Sequence, residues 1–383
     1  MLLTLLLSTA FAQDLSAAAP PAPPAAAEEA TQALTAQLLD LQAQVKQLQL
    51  DAFLRDAEIA AAASPPPPQK IASNPRNLFN PGITAFGDVL GSYAVAGGQV
   101  QPGSGPWLRS LELDLRADVD PFAKAVAVLA VEQEPPLESI PEGGEYASFG
   151  VSPEEVYLDL VALPGGFSAQ IGTFRQPFGI TNKAHPHDYP WPDTPGALQA
   201  LLGEEGWADT GAQLVWRPSL GGAVGFTLNA GVVRGTLFDP TLATPALLGR
   251  AELFGKSGDW ELSLGSSAAT QAGDTVVGGD AMVRWRGSVK RSVIALGEAL
   301  TRGGQTGGYA ALQVQPAHAF FLGARADVLQ GERTSVGAYG SYYTSEFLRL
   351  RLGGRTDGET TVGEGQVTFV WGSHPVEPYW VNR

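Results

Sequence analysis

Cysteine is absent from all 383 residues, so disulfides and thiolate chemistry are excluded. A chain without thiols suits passage through an oxidising compartment. Charged residues are also few, 16% against about 25% in soluble domains. Yet the body of the chain holds no apolar run long enough to cross a bilayer as a helix, and a helical membrane protein is therefore excluded. Basic residues are outnumbered, 24 Lys+Arg against 39 Asp+Glu, for a net charge of −15. With no basic stripe and no stacking motif, nucleic acid is not expected as a partner. A Ser-centred elbow and an HExxH helix are missing too, so no enzyme is expected and no cofactor is implied.

What is present divides the chain into five parts. Leu2, Leu3, Leu5, Leu6 and Leu7 form a short apolar core before Ala10-Phe11-Ala12, a small-x-small cleavage pattern, so residues 1–12 are read as a signal peptide. No Lys or Arg precedes that core, which leaves open a start codon placed too late. Residues 13–30 are Ala/Pro-rich and are expected to be disordered. Over 31–62, Leu34, Leu38, Leu41, Val45 and Leu48 alternate spacings of four and three, continued by Ala52 and Ile59. That seam predicts an α-helical coiled coil, with a lone amphipathic helix docked elsewhere as the alternative. Pro65–Pro68 then stiffens a linker over 63–76.

From residue 77 to 383 the period changes to two. Leu111, Leu113 and Leu115 alternate with Glu112, Asp114 and Arg116; Leu348, Leu350 and Leu352 alternate with Arg349 and Arg351. Alternation alone fits a soluble sandwich equally well. The connections separate the two. Sixteen strands are predicted, from 82–96 and 107–120 through to 347–355 and 364–373. Every second connection is tight, as at Asp120-Pro121, Pro164-Gly165-Gly166 and Ser257-Gly258-Asp259. The connections between them run longer on average, over 97–106, 135–152, 175–206, 236–245 and 356–363. Transmembrane antiparallel up-and-down barrels sort their loops in this way, short on the periplasmic side and long outside. An even strand count leaves the N-terminal segment and the C-terminus together in the periplasm. Outer-membrane lipid is then the surrounding partner.

Within 74–220 the chain resembles the phosphate-selective porin O/P-like outer-membrane β-barrel family, which includes plug-less proteins related to TonB-dependent receptors. The resemblance is carried by Asn80-Pro81-Gly82-Ile83, Leu111-Glu112-Leu113, Ala117-Asp118-Val119-Asp120-Pro121-Phe122 and Glu154-Glu155-Val156-Tyr157. It continues through Gly172-Thr173-Phe174-Arg175, Phe178-Gly179, Asn182, His185-Pro186-His187 and Gly206-Trp207-Ala208-Asp209-Thr210-Gly211. It implies an exported barrel with a transport role, a porin passing small polar or ionic solutes. Phosphate is not assigned, because no Lys-rich luminal ladder is visible, and the chain ends Tyr379-Trp380-Val381-Asn382-Arg383 without the terminal aromatic usual in such barrels. The second reading is a structural protein that anchors the envelope, its coiled coil reaching the cell wall.

Candidate pore-lining residues follow from the alternation. Arg284, Arg286, Arg325, Arg349 and Arg351 face Glu112, Asp114, Asp118 and Asp159 across the ring, a basic wall opposite an acidic one. The alternative is that these charges pair within their own sectors. The 32-residue connection 175–206 is expected to fold inward as a constriction carrying Phe178, His185, His187, Asp188, Glu204 and Glu205, with a surface lid as the alternative. His185 and His187 suggest a metal pair, but no third ligand stands at good spacing, so no metal is assigned. A barrel of this size is expected to form a homotrimer. Residues 77–383 carry 20 Lys+Arg against 32 Asp+Glu, a net of −12 that leans toward cations.

Overall fold

The computed structural model describes residues 81–133, 149–288 and 290–372, without the side chain of Ala162. The expected signal peptide, Ala/Pro-rich segment, coiled coil and linker lie outside those residues. The described chain is one antiparallel sheet closed on itself. Its strands are β1 (Gly82–Ala96), β2 (Gln99–Val100), β3 (Gly105–Asp120), β4 (Ala123–Gln133), β5 (Phe149–Leu163), β6 (Phe167–Arg175), β7 (Ala208–Trp216), β8 (Val224–Val233), β9 (Ala246–Ser257), β10 (Trp260–Gln271), β11 (Asp274–Ser288), β12 (Arg291–Arg302), β13 (Gln305–Ala317), β14 (Phe320–Leu329), β15 (Ser335–Ser345), β16 (Leu348–Thr356) and β17 (Thr360–Gly372). β2 is a two-residue pairing within the first long connection. The other sixteen make the barrel, closed where β1 pairs with β17 from Thr84↔Gly372 to Ala96↔Thr360. Closure leaves no open sheet edge.

The alternation is turned inside out relative to a soluble protein. Large apolar side chains such as Leu214, Leu262, Leu264, Leu322 and Leu352 stand exposed on the outer face. Their strand neighbours Gln213, Ser263, Arg351 and, further round, Glu112, Asp280 and Glu298 are buried inside. A water-facing sandwich buries the opposite set. The barrel strands run from 9 to 16 residues, enough to cross hydrocarbon at a tilt. Among the described residues no helix is long and apolar enough to do so. Aromatics gather where strands meet the tight turns, with Phe167 on Trp216, Phe320 on Tyr342 and Phe369 on Trp371. That is where an interfacial girdle belongs.

The long connections are less uniform than their sequence suggests. Residues 149–152 of the expected 135–152 loop belong to β5 and pair with β4, and 356–363 shrinks to a three-residue turn between β16 and β17. Gly303 and Gly304 both take positive φ, +57° and +82°, making the two-residue hairpin between β12 and β13. The connection 176–207 keeps its length. It contains two short 3-10 turns, Thr181–Lys183 and Pro186–Asp188, and a helix, α1 (Gly196–Leu202).

Candidate functional site

Five prolines, at 177, 186, 190, 192 and 195, shape this connection. Each removes a backbone donor and leaves its acceptors in place. Where such a segment is enclosed, its carbonyls need donors from elsewhere. Arginines supply them. Arg351 donates to the carbonyls of Trp191 and Tyr189, each at 2.8 Å. Arg349 donates to the carbonyl of His187, Arg109 to that of Pro192 at 2.5 Å, and Arg325 to that of Asp193 at 3.0 Å. Arg325 also pairs with the Asp193 carboxylate at 2.9 Å, joined by Arg355 at 3.2 Å. A charge-assisted bond of this kind is worth about 1.5–3 kcal/mol when buried.

The other anchors lie elsewhere round the ring. Gly179 N donates to Ser267 Oγ on β10 at 3.1 Å, and Thr181 N to Glu298 Oε1 on β12 at 2.7 Å. Lys183 Nζ stands 3.6 Å from Glu252 on β9. His187 stacks on Phe86 of β1 at 4.7 Å. Helix α1 buries Ala197, Leu198, Leu201 and Leu202 in one apolar cluster with Trp191, Leu300, Tyr309 and Tyr339. The segment thus has partners on β1, β3, β9, β10, β12, β13, β14 and β16.

Its two ends are clamped together by one side chain. Asn182 Nδ2 donates to the carbonyls of Gln176 and Trp207, and its Oδ1 accepts from Trp207 N at 2.7 Å. Gly206, at φ +85°, leaves room for that amide, since a Cβ there would come within 2.5 Å of Asn182 Oδ1. Asp209 accepts from the backbone N–H of Thr210, Gly235 and Thr236, each at 2.8 Å, tying in the next connection.

Glu112 on β3 is the centre of the acidic side. Its Oε1 lies 2.9 Å from His187 Nδ1 and its Oε2 3.3 Å from His185 Nδ1. His185 Nδ1 also stands 2.6 Å from Glu154 Oε2, and His185 Nε2 3.6 Å from Glu155 Oε2. Burial works against protonating His185, but the Glu112 carboxylate, helped by Glu154 and Glu155, outweighs it and pushes the imidazole up to about 10. His187 is raised in the same way, burial being overcome by Glu112 and Asp188. The Glu205 carboxyl is held above its usual range by burial and by the Glu154 carboxylate.

A cavity of about 600 Å³ opens beside this cluster, against β1, β3, β4 and β5. Seven carboxylates line it (Glu112, Glu132, Glu154, Asp193, Glu204, Glu205 and Glu364) against two arginines, Arg109 and Arg355. A second cavity, of about 960 Å³, lies toward the tight-turn end and meets Lys183, Asp188, Arg250, Glu252, Lys256 and Glu261.

Several residues singled out from the sequence meet here: Glu112, His185, His187 and Asp188 in one cluster, Glu204 and Glu205 on the same cavity, and Arg325, Arg349 and Arg351 on the segment's backbone. Phe178 packs among the buried apolar residues, its ring filling the space where Gly278 has no side chain. Others lie toward the tight turns. Asp114 pairs with Arg116 at 2.7 Å, Asp118 stands 3.8 Å from Lys124, and Arg284 is bonded to Glu261. Asp159 lies opposite Lys124 in the ladder, and Arg286 is exposed near the end of β11.

Sequence periodicity missed Arg109, Glu132, Glu154 and Glu155. Two of these follow from β-bulges. Ser110 pairs with Asp88 and Leu108 with Val89, so Arg109 is extra and turns to meet Asp88 at 2.5 Å. Glu155 pairs with Val128 and Pro153 with Leu129, so Glu154 is extra and both glutamates reach His185. Pro153 was the available signal, because a proline inside a strand marks a bulge or an edge.

No protein-family model matches the chain. Over 109 residues, 28% of its length, it is 31% identical to an uncharacterized protein of Aquifex aeolicus (strain VF5), and that stretch spans 20% of the Aquifex protein. Among solved structures, 76% of the chain superposes on 97% of Salmonella typhi OmpF, in its complex with daunomycin, with a TM-score of 0.52 and 9% identity. The same share superposes on 94% of Pseudomonas putida OprB, in a high-pH structure, with a TM-score of 0.51 and 10% identity. The fold is a porin-like β-barrel. At these identities the likeness establishes architecture, sixteen antiparallel strands closed in a ring. The chemistry of this barrel's interior rests on its own residues.

Proposed function

We propose that the chain is an outer-membrane porin, a passive diffusion channel for small polar or ionic solutes, narrowed by the inward-folded connection 175–206. The observation that carries this reading is the polar, charged interior of a closed barrel with an apolar outside. Sixteen strands enclose more space than side chains alone fill. Charge facing lipid costs up to about 2–4 kcal/mol per residue at mid-depth, so an inverted barrel belongs in a bilayer. Inward folding is supported by the anchors of 176–207 on strands all round the ring, from β1, β3 and β5 to β9, β10 and β12–β16. With α1 held against β12–β14, the free path lies along β1–β5, where carboxylates outnumber arginines, and cations are favoured. Glu112, His187, Glu204 and Glu205 line this path, with Arg325, Arg349 and Arg351 holding the segment beside it.

The remaining parts of the reading follow the architecture. The tight-turn end, with both chain termini, faces the periplasm, and the barrel assembles as a homotrimer. The resemblance over 74–220 supports kinship with phosphate-selective-porin-like barrels without making phosphate the solute. Purified chain added to a planar bilayer is expected to open discrete, salt-conducting steps. Insertion without conductance would favour the envelope anchor.

A further inference from the structure

His185 and His187 are held two residues apart by Pro186, which opens the turn Pro186–Asp188. Their rings lie 5.6 Å apart and 27° from parallel, so both present Nδ1 to the same carboxylate, Glu112, 75 residues upstream of His187. One ligand atom from each of Glu112, His185 and His187 falls within 4.8 Å of the others. In a tetrahedral zinc site, with bonds of about 2.0–2.1 Å, neighbouring donors stand roughly 3.3 Å apart. The two Glu112–histidine contacts, at 3.3 and 2.9 Å, are close to that spacing.

Glu154 stands beside this group without joining it: its Oε2 makes a 2.6 Å ion-pair contact with His185 Nδ1, but it lies outside the set whose ligand atoms all fall within 4.8 Å of one another. The far nitrogens are engaged as well. His185 Nε2 faces Glu155 at 3.6 Å and His187 Nε2 faces Asp188 at 3.5 Å. A carboxylate behind each imidazole is placed to hold the Nε2 proton when an ion takes the proton's place on Nδ1, the pairing usual around protein-bound zinc. Glu132 and Glu205 form a second carboxylate group with Glu154, so the surroundings carry an excess of negative charge.

We propose that Glu112, His185 and His187 form a binding site for a divalent transition ion of the zinc class, with water completing the ion's shell. Two imidazoles with carboxylates suit zinc, whereas calcium and magnesium prefer oxygen alone. The missing third ligand for the histidine pair is thus supplied by a strand distant in sequence. The ion links the connection to β3, and its binding does not depend on whether the barrel conducts.

The test uses the full chain in detergent, stripped with a chelator and titrated with zinc chloride. One zinc per chain is expected by calorimetry and elemental analysis. X-ray absorption should show two imidazole nitrogens with oxygens at about 2.0–2.1 Å. His187→Asn and Glu112→Gln should each weaken binding by about 100-fold or more, given that even loss of a supporting hydrogen bond costs 10–100-fold. His318→Asn, at an exposed turn, should leave binding unchanged. Parent protein that retains no zinc, or an all-oxygen shell around the zinc it does retain, would overturn the proposal. So would undiminished binding in a heat-modifiable, folded His185→Asn/His187→Asn variant.

Discussion

Asn182 shows how a single side chain decides whether a long connection holds its shape. Its amide closes the mouth of a 32-residue excursion with three bonds to the backbone at 176 and 207. Replacing it with alanine orphans the buried N–H of Trp207 and removes one of the donors to each of two carbonyls. Each orphan costs about 1–3 kcal/mol. Asn182→Ala should therefore lower the temperature at which the barrel shifts mobility on semi-native gels, and Asn182→Asp should recover less than half of that loss, because it keeps the acceptor and discards the donors. The sequence marked Asn182, Gly206 and Asp209 as parts of a resemblance without saying what they do. Their role is visible only once residues far apart in the chain are brought into contact. Arg109 and Glu154 were hidden for another reason: a bulge reverses the side on which a residue stands, and period-two counting passes over it.

At the scale of elements, the strands were the most legible part. Alternation and turn residues placed all sixteen, because each barrel strand has one lipid-compatible face and one polar face and must show period two. Helix α1 was not foreseen. Its seven residues are too few to display a period. What positions it is its buried face, Ala197, Leu198, Leu201 and Leu202, against the wall at β12–β14. Changing Leu198 and Leu201 to Asp puts two charges where two fully buried leucines contribute about 1.5–3 kcal/mol each. The double variant should keep its β-sheet circular dichroism and conduct with larger, noisier steps. Steps identical to the parent's would mean that α1 does not border the path. The arginines also read differently at this scale. Sequence alternation suggested a basic wall, with pairing inside its own sector as the alternative; Arg349 and Arg351 donate to backbone carbonyls of the connection and to the side chains of Ser341, Gln366 and Thr368. Arg351→Ala should accordingly destabilise the connection and alter conductance noise more than ion preference.

The whole molecule inverts the usual distribution of polarity, and that inversion is what ties fold to function. The lack of a long apolar run in a chain of low charge already excluded the other membrane architecture. The side on which each face points needed the closed ring. An acidic cavity along β1–β5 predicts a reversal potential displaced toward cations across a potassium chloride gradient. Glu132→Gln with Glu204→Gln and Glu205→Gln should shift it toward zero, and an unchanged value would place these carboxylates outside the conducting path. Assembly is a separate question. Mass measurement on the detergent-extracted complex should give three chains, and a monodisperse monomer would remove the trimer from the account. The central claim, a water-filled barrel narrowed by its third long connection, is tested most directly by single-channel recording of the full chain beside a variant lacking residues 183–200. The account predicts discrete steps from both, with conductance at least about twofold larger in the deletion. Equal conductance from a folded, inserted deletion variant, or silence from both, would contradict it.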